Sequence, residues 1–304
     1  MSDSSWTRRE ALLAAAALAT TPVCGLTEES TMISRKIPST GEALPVIGLG
    51  TYNVFDVAST ADSIATRKTI VDMLVDSGGR LIDTSPMYDR AEKIIGDIIE
   101  AGSDRDALFL ATKVWTDGRD AGIAQMRRSF ELMNTDAIDL MQVHNLRDTA
   151  THMQSIRELQ EQKRIRYSGL THYTASALDA LETAMRDFEP QFIQINYSLA
   201  EREAERRVLP LAQEKGIAVL INRPFQAGRL FRAVSGRDLP DWAQVFASSW
   251  GQFFLKFIVS HPAVTCVIPA TSKPRHMTDN LAAGFSALPD TAARQRMIEF
   301  IGSL

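Results

Sequence analysis

Eight short apolar runs, most of them separated by helical stretches, constrain this sequence more than any other feature. They fall at residues 47–51, 80–83, 108–114, 139–143, 165–170, 192–196, 218–222 and 265–269. Each is rich in Ile, Leu or Val and bounded by polar residues, Gly or Pro, the pattern of strands buried on both faces of a parallel sheet. Helical periodicity covers 65–76, where apolar residues recur at 70, 71, 74 and 75, and then 118–133, 149–162, 175–185, 203–215 and 247–260. Eight β units alternating with helices predict an α/β chain closed as a (β/α)8 TIM barrel. Residues 33–37 and 43–46 flank Pro38-Ser39-Thr40-Gly41-Glu42, which predicts a β-hairpin ahead of the barrel. An open doubly wound sheet would need a glycine-rich phosphate turn after its first strand. Gly48-Leu49-Gly50-Thr51-Tyr52 lacks the third glycine and the following helix. One domain over residues 31–304 is therefore expected.

Residues 1–30 read differently. Arg8 and Arg9 precede the apolar run 11–19, and small residues with a proline follow, the layout of a cleavable signal peptide. The paired arginines with leucines behind them resemble a twin-arginine signal, which makes the twin-arginine export machinery a partner and a periplasmic or otherwise exported location the expectation. Without that signal the location would be cytoplasmic. The run is far short of the roughly 20 residues a bilayer span needs, so no stable membrane span is expected.

Of the 304 residues, 45% are apolar and 23% charged, and the formal net charge of -4 carries no footprint for nucleic acid. Arg202, Arg206 and Arg207 are interleaved with Glu201, Glu203 and Glu205, as on a solvated helix face. The two cysteines, Cys24 and Cys266, have no histidine at metal-ligand spacing, and the five histidines form no zinc pattern, so no metal is expected. A monomer is expected.

Function is signalled by how the strands end. Gly50-Thr51-Tyr52, Asp83-Thr84, Lys113, His144-Asn145, Thr171-His172, Gln194 with Asn196, Asn222-Arg223 and Pro269-Ala270-Thr271 all fall at or next to the ends of apolar runs. Catalysis in such barrels sits at the C-terminal rim. Singly, Asp83 could cap a helix, Tyr88 be a surface aromatic, Lys113 a snorkelling strand end and His144 a core histidine. Eight polar ends at one rim point instead to a site.

Three of these stretches carry a resemblance. Leu81-Ile82-Asp83-Thr84-Ser85-Pro86-Met87-Tyr88 resembles the aldo-keto reductase signature. Phe109-Leu110-Ala111-Thr112-Lys113-Val114 is similar to that family's lysine strand, and Asp139-Leu140-Met141-Gln142-Val143-His144-Asn145 to its histidine strand. The similarity extends over about residues 33–304. It implies a nicotinamide-dependent carbonyl reductase with Asp83, Tyr88, Lys113 and His144 as its catalytic tetrad. In that reading Tyr88 gives the proton, a nearby Lys113 ammonium eases its release, Asp83 balances Lys113, and His144 orients the substrate oxygen.

The resemblance also implies a dinucleotide held by the last barrel turns. Gly50, Thr51 and Asp83 are expected beside it. The carboxamide grip falls at Thr171, His172 and Gln194, where the family's usual Ser-Asn pair is replaced by Thr171-His172. The aromatic that often stacks on the nicotinamide is Asn222 here, followed by Arg223, Pro224 and Phe225, and Gly228 marks a phosphate-side loop. Near the adenosine phosphate, Ile268, Pro269, Asp279 and Asn280 keep the pattern. Ala270 and His276 replace a lysine and an arginine often found there, leaving Thr271, Ser272, Lys273 and Arg275 to supply hydroxyls and charge. NADPH is expected over NADH. Arg223 is open between the cofactor pyrophosphate and an acidic substrate.

Tyr52, Trp115 and His144 are the expected substrate lining. After the eighth strand only helices at 274–283 and about 290–303 are expected, which predicts an open pocket for small-molecule carbonyl substrates, aldehydes or small ketones. Two other readings stand beside this one: a non-enzymatic dinucleotide-binding or sensor barrel, and an alcohol dehydrogenase running mainly in the oxidative direction.

Overall fold

A computed structural model of the protein describes residues 31–304; the signal expected at 1–30 lies outside the described residues. The described chain begins with an antiparallel hairpin, β1 (Ser34–Lys36) and β2 (Ala43–Pro45), turned through a left-handed Gly41 at φ 76°. Ile37 and Leu44 are fully buried among the side chains that fill the barrel, so the hairpin forms its floor. The turn is tied down from above: the Tyr167 hydroxyl lies 2.8 Å from the Thr40 hydroxyl and donates to Glu42 at 2.7 Å.

Eight parallel strands follow and pair in sequence order: β3 (Leu49–Gly50), β4 (Leu81–Asp83), β5 (Phe109–Val114), β6 (Ile138–His144), β7 (Ile165–Thr171), β8 (Phe192–Asn196), β9 (Ala218–Asn222) and β10 (Cys266–Val267). The expected barrel is borne out. Its seam between the last and first strands is made by single parallel bridges, Ile47 to Val267 and Gly50 to Ala270. Both seam strands are shorter than their apolar runs. Pro269 has no N–H to donate, and the chains meet there by Gly50 N–H donating to the Pro269 carbonyl at 3.2 Å. A Cβ on Gly50 would come 2.8 Å from the Ile268 carbonyl oxygen, and one on Gly48 2.9 Å from that of Leu81. The Gly-Leu-Gly run thus closes the barrel by close backbone approach.

Among the described residues ten α-helices pack outside: α1 (Ala61–Asp76), α2 (Ala91–Glu100), α3 (Arg119–Leu132), α4 (Thr149–Glu161), α5 (Leu178–Phe188), α6 (Val208–Lys215), α7 (Arg229–Ala233), α8 (Trp250–Val259), α9 (Pro274–Ala282) and α10 (Thr291–Gly302). Two of them, α2 and α7, were not expected. Helix α2 buries Ile94, Ile95 and Ile98, and α7 begins inside the stretch 226–230 read as a phosphate-side loop. The helix expected at 203–215 is shortened for a clear reason. Pro210 cannot donate to the carbonyl four residues back, so it is tolerated only in a first turn, and α6 begins at Val208. Likewise α8 starts at Trp250 because the Ser249 hydroxyl caps it, accepting from Gln252 N–H at 3.1 Å.

Strand parity then sets out the interior. Leu81, Phe109, Ala111, Leu140, Tyr167, Phe192, Ala218, Leu220 and Cys266 fill the barrel, whereas Ile82, Leu110, Val114 and Val143 face the helices. Counting in twos along the same inward columns reaches Asp83, Lys113, Gln142 with His144, Thr171, Gln194 and Asn222 at the C-terminal ends. The lower layers of the column are apolar and the top layer is polar.

Candidate active site

The polar top layer opens into a cleft of about 520 Å³. At its base, Lys113 is fully buried and Asp83 is 2% exposed. The Lys113 ammonium donates to Asp83 Oδ2 at 2.8 Å and to the Thr84 carbonyl at 2.6 Å. Asp83 Oδ1 accepts from Gln194 Nε2 at 2.6 Å and Gln142 Nε2 at 3.2 Å, so both carboxylate oxygens are engaged. Burial alone would pull the Lys113 ammonium down; the Asp83 carboxylate and the Tyr88 phenol outweigh it and hold its pKa above the ordinary lysine value. Lys113 is therefore a fixed cation at neutral pH.

Tyr88 sits in the loop after β4, with its ring centroid 5.0 Å from the Lys113 nitrogen. Edge contacts from Tyr52 at 5.1 Å and His144 at 6.3 Å between ring centroids frame it. Burial raises its pKa above the usual phenol value, with Asp83 adding to the rise and Lys113 opposing it. The proton is thus retained at neutral pH, with burial favouring the phenol and the ammonium favouring the phenolate form. His144, at the end of β6, is pulled down to about 3 by burial first, then by Lys113 and His172. It is a neutral imidazole throughout the physiological range.

The cleft brings together most residues expected from the sequence. Gly50, Thr51, Tyr52, Asp83, Tyr88, Trp115, His144, Thr171, Gln194, Asn222, Arg223, Pro224, Phe225 and Gly228 all line it. On the far side from Tyr88, Asn222 Nδ2 donates to the Gln194 side-chain oxygen at 3.4 Å and to the His172 carbonyl at 3.3 Å. Its own Oδ1 is buried without a partner among the described residues. Arg223 and Ala227 hold left-handed backbone at φ 49° and 51°, strain of the kind that collects at binding loops. The Arg223 guanidinium lies 5.8 Å from the Tyr173 ring centroid.

Seven expected residues do not line the cleft. Lys113 lies fully buried beneath it, reached through Asp83. His172 instead turns Nδ1 toward its own backbone, accepting from Tyr173 N–H at 3.0 Å and Thr174 N–H at 3.3 Å, and stacks on Tyr173. Asp279 receives Ser249 Oγ at 2.7 Å and Gln252 Nε2 at 2.8 Å, binding α9 to the start of α8. Thr271, Ser272, Lys273 and Asn280 continue past Ala270, which does line the cleft, into α9. The sequence reading passed over Ser85, Met87, Gln142 and Tyr173. Gln142 had a readable signal, a glutamine on the same strand parity as His144. Tyr173 had none, because only the fold turns its ring to the mouth.

The comparisons with known proteins agree with this geometry. A model of the Aldo/keto reductase family matches residues 46–295. The chain is 31% identical over 204 residues to the aldo-keto reductase YhdN of Bacillus subtilis, an alignment covering 61% of this chain and 60% of that one, less than two thirds of the relative's length. It is 29% identical over 254 residues to the methylglyoxal reductase YeaE of Escherichia coli, covering 79% and 85%. Among solved structures, an aldo-keto reductase from Klebsiella pneumoniae in complex with NADPH superimposes with a TM-score of 0.75 at 25% identity, covering 88% of this chain and 95% of the other.

Proposed function

Because the chain belongs to the aldo/keto reductase family, we propose that it reduces aldehydes or small ketones to alcohols with NADPH, and that Tyr88 donates the proton. The observation that carries this reading is the convergence of a protonated phenol, a buried ammonium with its counter-charge and a neutral imidazole on one cleft. A pure dinucleotide-binding barrel has no use for that combination.

The cleft fits a nicotinamide. Asn222 presents a buried amide oxygen, without a partner among the described residues, where a carboxamide N–H can be received, and Thr171 and Gln194 stand beside it. The bound cofactor supplies hydride to the carbonyl carbon. The protein does the rest: His144 positions the carbonyl oxygen, Tyr88 transfers its proton there as negative charge develops, and Lys113 stabilises the phenolate that remains. Tyr52, Trp115 and Met87 supply apolar contacts for the remainder of the substrate. Methylglyoxal reduction by the Escherichia coli relative supports a small carbonyl as substrate.

Aldehyde-dependent NADPH oxidation tests the reading; no turnover across a broad panel of aldehydes and ketones overturns it. The cofactor preference rests on Lys273 and Arg275, exposed at the start of α9, just past the cleft-lining Ala270. Replacing both by alanine is expected to raise the KM for NADPH about 10-fold or more and to leave NADH within about twofold, since in this role the lost charges would serve only a 2′-phosphate, which NADH lacks. Equal losses for both cofactors would remove these residues from that role.

We further propose export through the twin-arginine route, supported by Arg8, Arg9 and the apolar run behind them. Lys in place of both arginines is expected to leave uncleaved precursor in the cytoplasm. Undiminished export of that variant rejects the route.

A further inference from the structure

The mechanism asks His144 to donate a hydrogen bond to the substrate oxygen, and a neutral imidazole can do so only through whichever nitrogen carries its single proton. The group that decides this is Ser85, two residues after Asp83. Its side chain is fully buried, and its Oγ lies 3.3 Å from His144 Nδ1. The same Oγ accepts the Met87 backbone N–H at 3.1 Å.

Two proton arrangements satisfy the Ser85–His144 contact. If Nδ1 carried the proton and donated to Ser85, the serine oxygen would accept twice and its own buried O–H would have no acceptor among the described residues. A buried donor left without a partner is destabilising, because its bond to water is lost and not replaced. If Ser85 donates to Nδ1, every group is used: Met87 N–H goes to Oγ, the Ser85 O–H goes to Nδ1, and the imidazole proton sits on Nε2. We propose that Ser85 is a positioning residue that fixes the Nε2–H tautomer and ring orientation of His144, so that its donor faces the cleft. This rests on the carbonyl-reductase reading of the site.

The chain of contacts also links the tautomer to the tetrad. Ser85 follows Thr84, whose carbonyl holds the Lys113 ammonium, and Tyr88 N–H donates to the Ser85 carbonyl at 3.0 Å. One turn of backbone therefore sets the position of the proton donor, the ammonium and the imidazole together. Removing the serine hydroxyl while keeping the turn isolates its effect on His144.

The test is nitrogen NMR of protein labelled with ¹⁵N-histidine, in the free state, with the His144 signals assigned by their loss in His144→Gln. Wild type is expected to show the Nε2–H pattern, unchanged from about pH 6 to 8. In Ser85→Ala, the Nδ1 signal is expected to move toward a mixture of tautomers. The kcat is expected to fall about 3- to 10-fold, the scale of one neutral hydrogen bond, at unchanged affinity for NADPH. An Nδ1–H pattern in wild type, or an unmoved His144 spectrum with full kcat in Ser85→Ala, overturns the proposal. A folded wild type that reduces no carbonyl defeats the functional reading instead, because the spectrum is read without turnover.

Discussion

Tyr88→Phe is expected to lower kcat for aldehyde reduction by about 10²-fold or more, the contribution of a positioned general acid, with the fold and NADPH binding intact. The substitution removes one oxygen from a ring whose edge contacts to Tyr52 and His144 remain. The Asp83–Lys113 pair keeps its own hydrogen bonds, so no buried charge is abandoned. The loss therefore falls on the chemical step, and should appear in kcat at unchanged cofactor affinity. Single-turnover NADPH oxidation with wild type and variant, beside NADPH titrations and melting curves, separates the two. Wild-type turnover in the variant would falsify the assignment of Tyr88 as proton donor. Loss of cofactor binding would instead relocate the residue's role to the dinucleotide.

The second large effect is on stability. Lys113 has no exposure, and its only carboxylate partner among the described residues is Asp83. Asp83→Asn keeps the shape but leaves the ammonium without its counter-charge, a change expected to cost about 3–5 kcal/mol. The pH dependence fixes the cause. In the wild type the lysine pKa is raised, so its contribution is fully present below the unfolded value of 10.5 and is lost only as pH climbs through the folded one. In Asp83→Asn, burial acts unopposed by that charge and pulls the ammonium pKa down. The unfolded chain then binds the extra proton, and stability rises with pH toward 10. Urea midpoints at several pH values read this directly. Adding Lys113→Met to Asp83→Asn should recover part of the loss and abolish the slope. An Asp83→Asn protein as stable as wild type, with no slope, would mean that Lys113 is not a buried cation.

Much of the fold was legible because a buried parallel strand leaves a simple mark, a short branched apolar run with polar ends. Helix ends were less so. Pro210 and Ser249 each carried a local rule that outweighed the periodicity around them. Helix α2 was overlooked although Ile94, Ile95 and Ile98 are spaced for one face. Gly48 and Gly50 were read as a failed dinucleotide turn; only the seam shows that they let strand β3 approach the backbone of its neighbours.

The four residues proposed as the tetrad were readable by type and by place, since each lies near or just after the end of a strand. Sequence alone determined the barrel, the polar rim and the chemical pieces, because short apolar runs with polar ends and helical periodicity are local properties of the chain. Tertiary structure decided which pieces meet. It joined Gln142 and Gln194 to Asp83, turned His172 onto its own backbone, drew Asp279 to the cap of α8, and set Ser85 against His144. Those contacts span up to 111 residues, and their partners are chosen by strand register and loop path, which residue type and spacing do not encode.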